Sequence, residues 1–141
     1  MNLYLDTSAL VKLYWWEADA TVVRTAVRRA EQLATARVAW SEVLATIARK
    51  RREGAPARTC TRVAASFRSD WQDLTIVAQS DPVDALVDSL HRRHALRGFD
   101  ALHLAAALHW QAVLGEAVAF ACADERLRHA AQDEGLVLVP A

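Results

Sequence analysis

Three short segments of this chain, residues 3–5, 117–123 and 136–139, are apolar throughout, with no charged residue in alternation. A strand with one face in water alternates apolar and polar side chains, so uninterrupted strands belong to a sheet covered on both faces. Segments 35–39 and 74–78 are short and rich in small or β-branched residues, and they read as two further strands. Between these five lie stretches with apolar residues at helical spacing: 8–16, 19–33, 40–53, 57–71, 81–96, 100–114 and 125–132. Strands alternating with helices predict an α/β domain, a mainly parallel five-stranded sheet flanked by helices in three layers. The helices outnumber what such a sheet needs, so residues 40–72 are expected to form an extra helical hairpin beside it. Local signals agree. Asp19 is a candidate N-cap, Gly54 and Pro56 close one helix, Ser80-Asp81-Pro82 opens another, and 97–99 reads as a loop.

At 141 residues the chain is expected to be one domain over its whole length, 1–141, without linker or internal repeat. A core of that size needs no covalent staples. The two cysteines, Cys60 and Cys122, form no C-x-x-C or Cys/His cluster, so neither a disulfide framework nor a structural zinc is expected. Reduced thiols fit a cytoplasmic protein. The opening Asn2-Leu3-Tyr4-Leu5-Asp6 lacks the basic start and the length of a signal peptide. No stretch approaches the ~20 apolar residues of a membrane span. Formal net charge is zero, yet the cations are clustered at Arg28-Arg29, Arg49-Lys50-Arg51-Arg52 and Arg92-Arg93. Such stripes hold phosphate on an otherwise neutral protein, or are simply solvated helix faces.

The acids carry more information. Asp6 and Asp124 each end an apolar strand, while Glu42 and Asp100 fall at the starts of helices. In open α/β sheets, ligand sites form beyond the C-terminal ends of the strands. Each acid taken singly has a plain alternative: Asp6, Asp100 and Asp124 as N-caps, Glu42 as an arginine partner. Four at equivalent places suggest a common site. Clustered carboxylates repel and need a cation, and hard divalent ions such as Mg²⁺ or Mn²⁺ prefer such oxygen donors.

Leu5-Asp6-Thr7-Ser8-Ala9-Leu10, Ser41-Glu42-Val43, Phe99-Asp100-Ala101-Leu102-His103-Leu104-Ala105 and Asp124-Glu125-Arg126-Leu127 follow one another in this order. Together they resemble the four motifs of PIN-domain nucleases, and most closely the VapC-type toxins of VapBC toxin–antitoxin pairs. The resemblance covers nearly the whole chain. One departure is Cys122, where the family commonly has Thr or Ser two residues before the last acid.

The resemblance implies a PIN-like fold and a metal-dependent endoribonuclease acting on single-stranded regions of RNA. Asp6, Glu42, Asp100 and Asp124 would be the acidic quartet. Asp6 and Asp100 would bind Mg²⁺ or Mn²⁺ directly, and Asp124 would share the ion or act through water. Glu42 would hold a second ion or orient the attacking water. Two ions ~4 Å apart, or one, would serve this chemistry. The implied partners are RNA, a small antitoxin protein with an amphipathic segment, and a second copy in a homodimer.

Other residues are weighed beside these. Ser8 is a hydroxyl donor next to Asp6 or an ordinary first-turn residue. Arg97, Arg49, Arg51 and Arg52 are candidates for RNA phosphate; the alternative is a surface ion pair for Arg97, and for Arg49, Arg51 and Arg52 a solvated helix end, where cations also suit the C-terminal dipole. His103, one turn beyond Asp100, is expected in the core with a nitrogen hydrogen-bonded. Of Trp15 and Trp16, at least one is expected to face outward, since adjacent helical residues diverge by about 100°. A haloacid-dehalogenase-like phosphohydrolase also starts with a strand ending in Asp, but it needs a second Asp where Ser8 stands. A response-regulator-like switch needs an acid after the third strand, where Ala78-Gln79 stands. A PIN-like domain kept only to bind a partner remains an alternative. No G-x-S-x-G elbow occurs, and four glycines supply no phosphate loop.

Overall fold

A computed structural model describes residues 1–141. Its strands are β1 (Asn2–Leu5), β2 (Gln32–Ala36), β3 (Thr75–Val77), β4 (Val118–Ala121) and β5 (Val137–Val139). The helices are α1 (Thr7–Val11), α2 (Ala20–Arg29), α3 (Ala39–Arg52), α4 (Ala57–Trp71), α5 (Asp81–Arg93), α6 (Gly98–Leu114) and α7 (Glu125–Asp133). All four strand pairings are parallel, in the order β3-β2-β1-β4-β5.

The uninterrupted strands are buried on both faces because successive residues enter opposite cores. Tyr4, Val118 and Phe120 point to one face, where α5, α6 and α7 cover them with Val83, Leu90, Leu104 and Leu127. Leu3, Leu5, Ala119 and Ala121 point to the other, under α1 to α4 with Leu10, Val43, Val63 and Phe67. Tyr4 and Phe120, side by side on β1 and β4, stack at 5.5 Å. The expected hairpin is α3 with α4, closed over Trp40, Phe67 and Trp71. No helix is long and apolar enough to cross a membrane.

Several boundaries differ from expectation. The first helix is short: beyond Val11 the chain tightens into i→i−3 turns, with Lys12, Leu13 and Tyr14 bonded to Ala9, Leu10 and Val11. Trp16 emerges 70% exposed, and Trp15 is partly buried. Asp19 precedes α2, but in a left-handed conformation (φ 65°) and with no side-chain cap bond. α2 ends at Arg29 rather than at residue 33, because Gln32 and Leu33 pair with Asn2 and Leu3 and so begin β2. β2 in turn ends at Ala36, three residues before the expected limit. α6 starts at Gly98, with the Ala101 amide already bonded to the Arg97 carbonyl, so most of the expected 97–99 loop is helix.

The topology determines where a site can form. From β1 the chain builds outward through β2 and β3, then crosses back to place β4 on the other side of β1. The switch point lies between β1 and β4, whose adjacent ends run into Asp6 and Asp124.

Candidate active site

Asp6, Glu42, Asp100 and Asp124 line one cavity of about 720 Å³ above the C-terminal ends of β1 and β4. Thr7, Ser8, Glu17, Arg49, Arg97 and His103 share its wall. Four separate elements therefore bring the four expected acids together.

Asp6 is 5% exposed and caps α1, with Oδ1 accepting the Ala9 amide at 2.9 Å and the Ser8 hydroxyl at 2.7 Å. Both bonds fall on Oδ1, which leaves Oδ2 to the cavity. Burial raises the Asp6 pKa above the ordinary carboxylate value, and nearby Asp100 adds to the rise; His103, Ser8 and Ala9 oppose without reversing it. Asp124 repeats the arrangement on the neighbouring strand, its Oδ1 capping α7 through the Leu127 amide at 3.0 Å. The capping reading holds for both residues, and capping does not take them out of the cavity: one oxygen of each holds a helix, and both residues line the same cavity. Ser8 joins the two strand ends, since its oxygen accepts the Ala123 amide at 3.2 Å while its single proton goes to Asp6. Asp124 is oriented by its own cap. Cys122 is buried beneath, and burial, reinforced by the Asp6 charge, raises its thiol far above the ordinary range.

Glu42 is held from below. His103, 2% exposed on α6, places Nε2 at 2.8 Å from Glu42 Oε1, and Thr7 donates to the same oxygen at 2.7 Å. The Tyr4 hydroxyl lies 2.8 Å from His103 Nδ1. Burial raises the Tyr4 pKa well above the ordinary phenol value, so the hydroxyl keeps its proton. Burial alone would raise the Glu42 carboxyl, but the bonds from His103 and Thr7 outweigh it and hold the pKa below the usual value. His103 thus fulfils the expectation of a hydrogen-bonded core histidine, and its partner is one of the four acids. Thr7 was not singled out from the sequence, although it sits inside the first motif.

Asp100 lies in the first turn of α6 without capping it. Its Oδ2 is 3.3 Å from Arg97 Nε, and Arg97 Nη2 is 3.2 Å from Asp124 Oδ2. The ion pair weighed as an alternative for Arg97 therefore exists, but it spans two site acids rather than a remote surface. Of the basic run, Arg49 lines the cavity and pairs with Glu53 at 3.7 Å, while Arg51 and Arg52 are exposed and take no part in its wall. Lys50 lies against Trp15 and, with Lys12, pairs with Glu17.

As the side chains stand, no three Asp, Glu, His or Cys residues converge closely enough to chelate an ion. The donor chemistry nonetheless suits a hard divalent cation. Asp6 Oδ2 and Glu42 Oε2 have no protein partner, and Oδ2 of Asp100 and Oδ2 of Asp124 both contact one guanidinium, that of Arg97. Rotating these two side chains off Arg97 would free them for an ion.

The fold and this acid cluster define the class: the chain belongs to the PIN-domain family, whose model matches residues 3–133. Within it, the chain is 33% identical to "Ribonuclease VapC45" of Mycobacterium tuberculosis, covering 99% of this chain and 95% of that one. It is 32% identical to "Ribonuclease VapC47" of the same organism over 96% and 93%. Solved structures share the fold at low identity. FitAB bound to a DNA fragment superposes with a TM-score of 0.70 at 13% identity, over 96% of this chain and 92% of that one. VapBC-1 from nontypeable Haemophilus influenzae gives 0.66 at 10%, over 98% and 96%.

Proposed function

We propose that this chain is a divalent-metal-dependent endoribonuclease, the toxin of a type II toxin–antitoxin pair acting in the cytoplasm. The observation that carries the proposal is the convergence of Asp6, Glu42, Asp100 and Asp124 on one cavity at the sheet's switch point. Relatives named ribonucleases, matched over nearly the full chain, support the choice of RNA as substrate. Neighbours solved as toxin–antitoxin complexes favour a small antitoxin as partner. A homodimer is part of the same proposal.

Asp6, Asp100 and Asp124 would hold Mg²⁺ or Mn²⁺. Such an ion, when bound, supplies Lewis acidity at a phosphoryl oxygen and lowers the pKa of water. Glu42 is ionised at neutral pH and fixed by His103 and Thr7, so its free Oε2 accepts a hydrogen bond from the attacking water and aims it at phosphorus. Ser8 keeps Asp6 turned so that Oδ2 faces the substrate. Arg97 and Arg49 stand at the cavity wall, where they bind the phosphates flanking the scissile bond, with Arg51 and Arg52 extending the positive surface further along α3.

The test is cleavage of an RNA with unpaired loops in Mg²⁺, in Mn²⁺ and in EDTA, with and without the protein encoded beside this one. Cleavage that needs the ion and is silenced by the neighbour supports both parts. Cleavage that persists in EDTA overturns the metal site, and a neighbour without effect overturns the toxin–antitoxin pairing.

A further inference from the structure

Phe99 is 58% exposed, immediately before Asp100 in the first turn of α6. Its ring lines the acidic cavity and also a second, adjoining cleft of about 550 Å³. The second cleft differs in chemistry: eight of its ten lining residues are apolar. Its floor is the C-terminal ends of β2 and β3, with Ala36 and Val77, and its walls are Val83 of α5 and Leu102 and Ala106 of α6. Both cavities open at the same edge of the sheet, with Phe99 on the ridge between them.

We propose that this cleft is a nucleobase subsite, in which an unpaired base next to the scissile phosphate stacks on Phe99. The proposal rests on the ribonuclease reading above and adds how the strand is gripped. An exposed ring costs free energy unless something covers it, and a base presents a flat π-face whatever its identity. The apolar walls exclude phosphate but accept a base, and the volume falls in the range of small-ligand clefts, ~300–1,000 Å³. The polar residues suit the same occupant. Arg37, exposed at the rim, lies 6.0 Å from the Trp71 ring and pairs with no carboxylate, so it is free for the next phosphate. Gln79 donates Nε2 to Asp84 at 2.9 Å and keeps its carbonyl oxygen for a base edge. Along the path lie Arg97 beside the acids, Phe99, the apolar cleft, then Arg37: phosphate, base, phosphate. A paired base must first unpair and unstack to enter, so the subsite favours unpaired nucleotides.

The experiment compares wild type, Phe99→Ala and Phe99→Trp in cleavage of an unpaired RNA octamer. Anisotropy then measures binding of the same octamer in Ca²⁺, intact or with one abasic nucleotide stepped along it. Loss of one stacked base predicts about 5- to 150-fold weaker binding by Phe99→Ala, retained binding by Phe99→Trp, and unchanged melting temperatures. One abasic position should weaken wild type and leave Phe99→Ala unaffected. Normal cleavage and binding by Phe99→Ala overturns the subsite while the nuclease reading stands. Weakened binding without cleavage in any variant supports the subsite and overturns the nuclease reading. A Phe99→Ala variant that binds RNA normally but loses the antitoxin, or changes oligomeric state, makes the cleft a protein interface and overturns the proposal.

Discussion

Replacing Asp6 by Asn should stabilise the metal-free protein. The carboxyl is 5% exposed, and burial together with Asp100 raises its pKa in the folded state. The sign follows from linkage. Below the unfolded-state value, near 3.9, both states are protonated and nothing is lost. As pH rises through the higher folded-state value, the folded chain must ionise a group it prefers neutral, and stability falls. Asn removes that cost and keeps the structural part of the side chain. Its Oδ1 still accepts the Ala9 amide and the Ser8 hydroxyl, and Asn caps helices about as well as Asp. The gain at pH 7 is set by the displacement between the folded and unfolded pKa values, at about 1.4 kcal/mol for each pH unit. In a domain of this size each kcal/mol gained raises the melting temperature by roughly 3–5 °C. Thermal denaturation in EDTA from pH 4 to 8 reads it directly: the gap opens with pH and closes near pH 4. Mg²⁺ then stabilises wild type by about 2.7 kcal/mol at a hundredfold excess over Kd, raising its midpoint, and leaves Asp6→Asn nearly unmoved. A variant less stable than wild type in EDTA at pH 7, or a gap indifferent to pH, would refute the electrostatic reasoning and leave Asp6 as a cap alone.

Three further outcomes follow from the same geometry. His103→Ala strips the Tyr4 hydroxyl and Glu42 of their partner and opens a cavity, so urea denaturation should show a loss of about 2–4 kcal/mol. Arg97→Gln removes a cation that competes for Asp100 and Asp124. The arginine is 80% exposed and its ion pairs are worth about 0–1 kcal/mol, so calorimetry should find Mg²⁺ binding tighter by no more than about fivefold. Arg49→Gln alone should weaken RNA binding and flatten its salt dependence by ~0.7 in log–log slope, whereas Arg51→Gln with Arg52→Gln should do less, because only Arg49 reaches the cavity.

The strand-end acids were legible because an apolar run halting at a carboxylate is rare without a reason. Burial of both sheet faces made the same runs diagnostic of a parallel sheet. β2 was misplaced because it begins with exposed Gln32, and because Leu33 continues the helical spacing of α2 while packing as a strand residue in the core. The support beneath Glu42 was not legible. His103 and Glu42 lie 61 positions apart and Tyr4 and His103 lie 99 apart, and no local pattern encodes that α6 brings the imidazole under α3. Arg97 was ambiguous for a related reason: its ion pair and its place at the site are one fact, visible only once α6 and α7 meet.

The central claim is that the four carboxylates act together as one metal-dependent catalytic site. Mn²⁺ titration of a single preparation, followed by calorimetry and by RNA cleavage in parallel, tests it most directly in wild type, Asp6→Asn, Asp100→Asn and Asp124→Asn. Cleavage by wild type should rise with the same midpoint as ion binding, and each variant should lose both while remaining folded. Cleavage that saturates independently of ion binding, or full activity in any one of the variants, would contradict it.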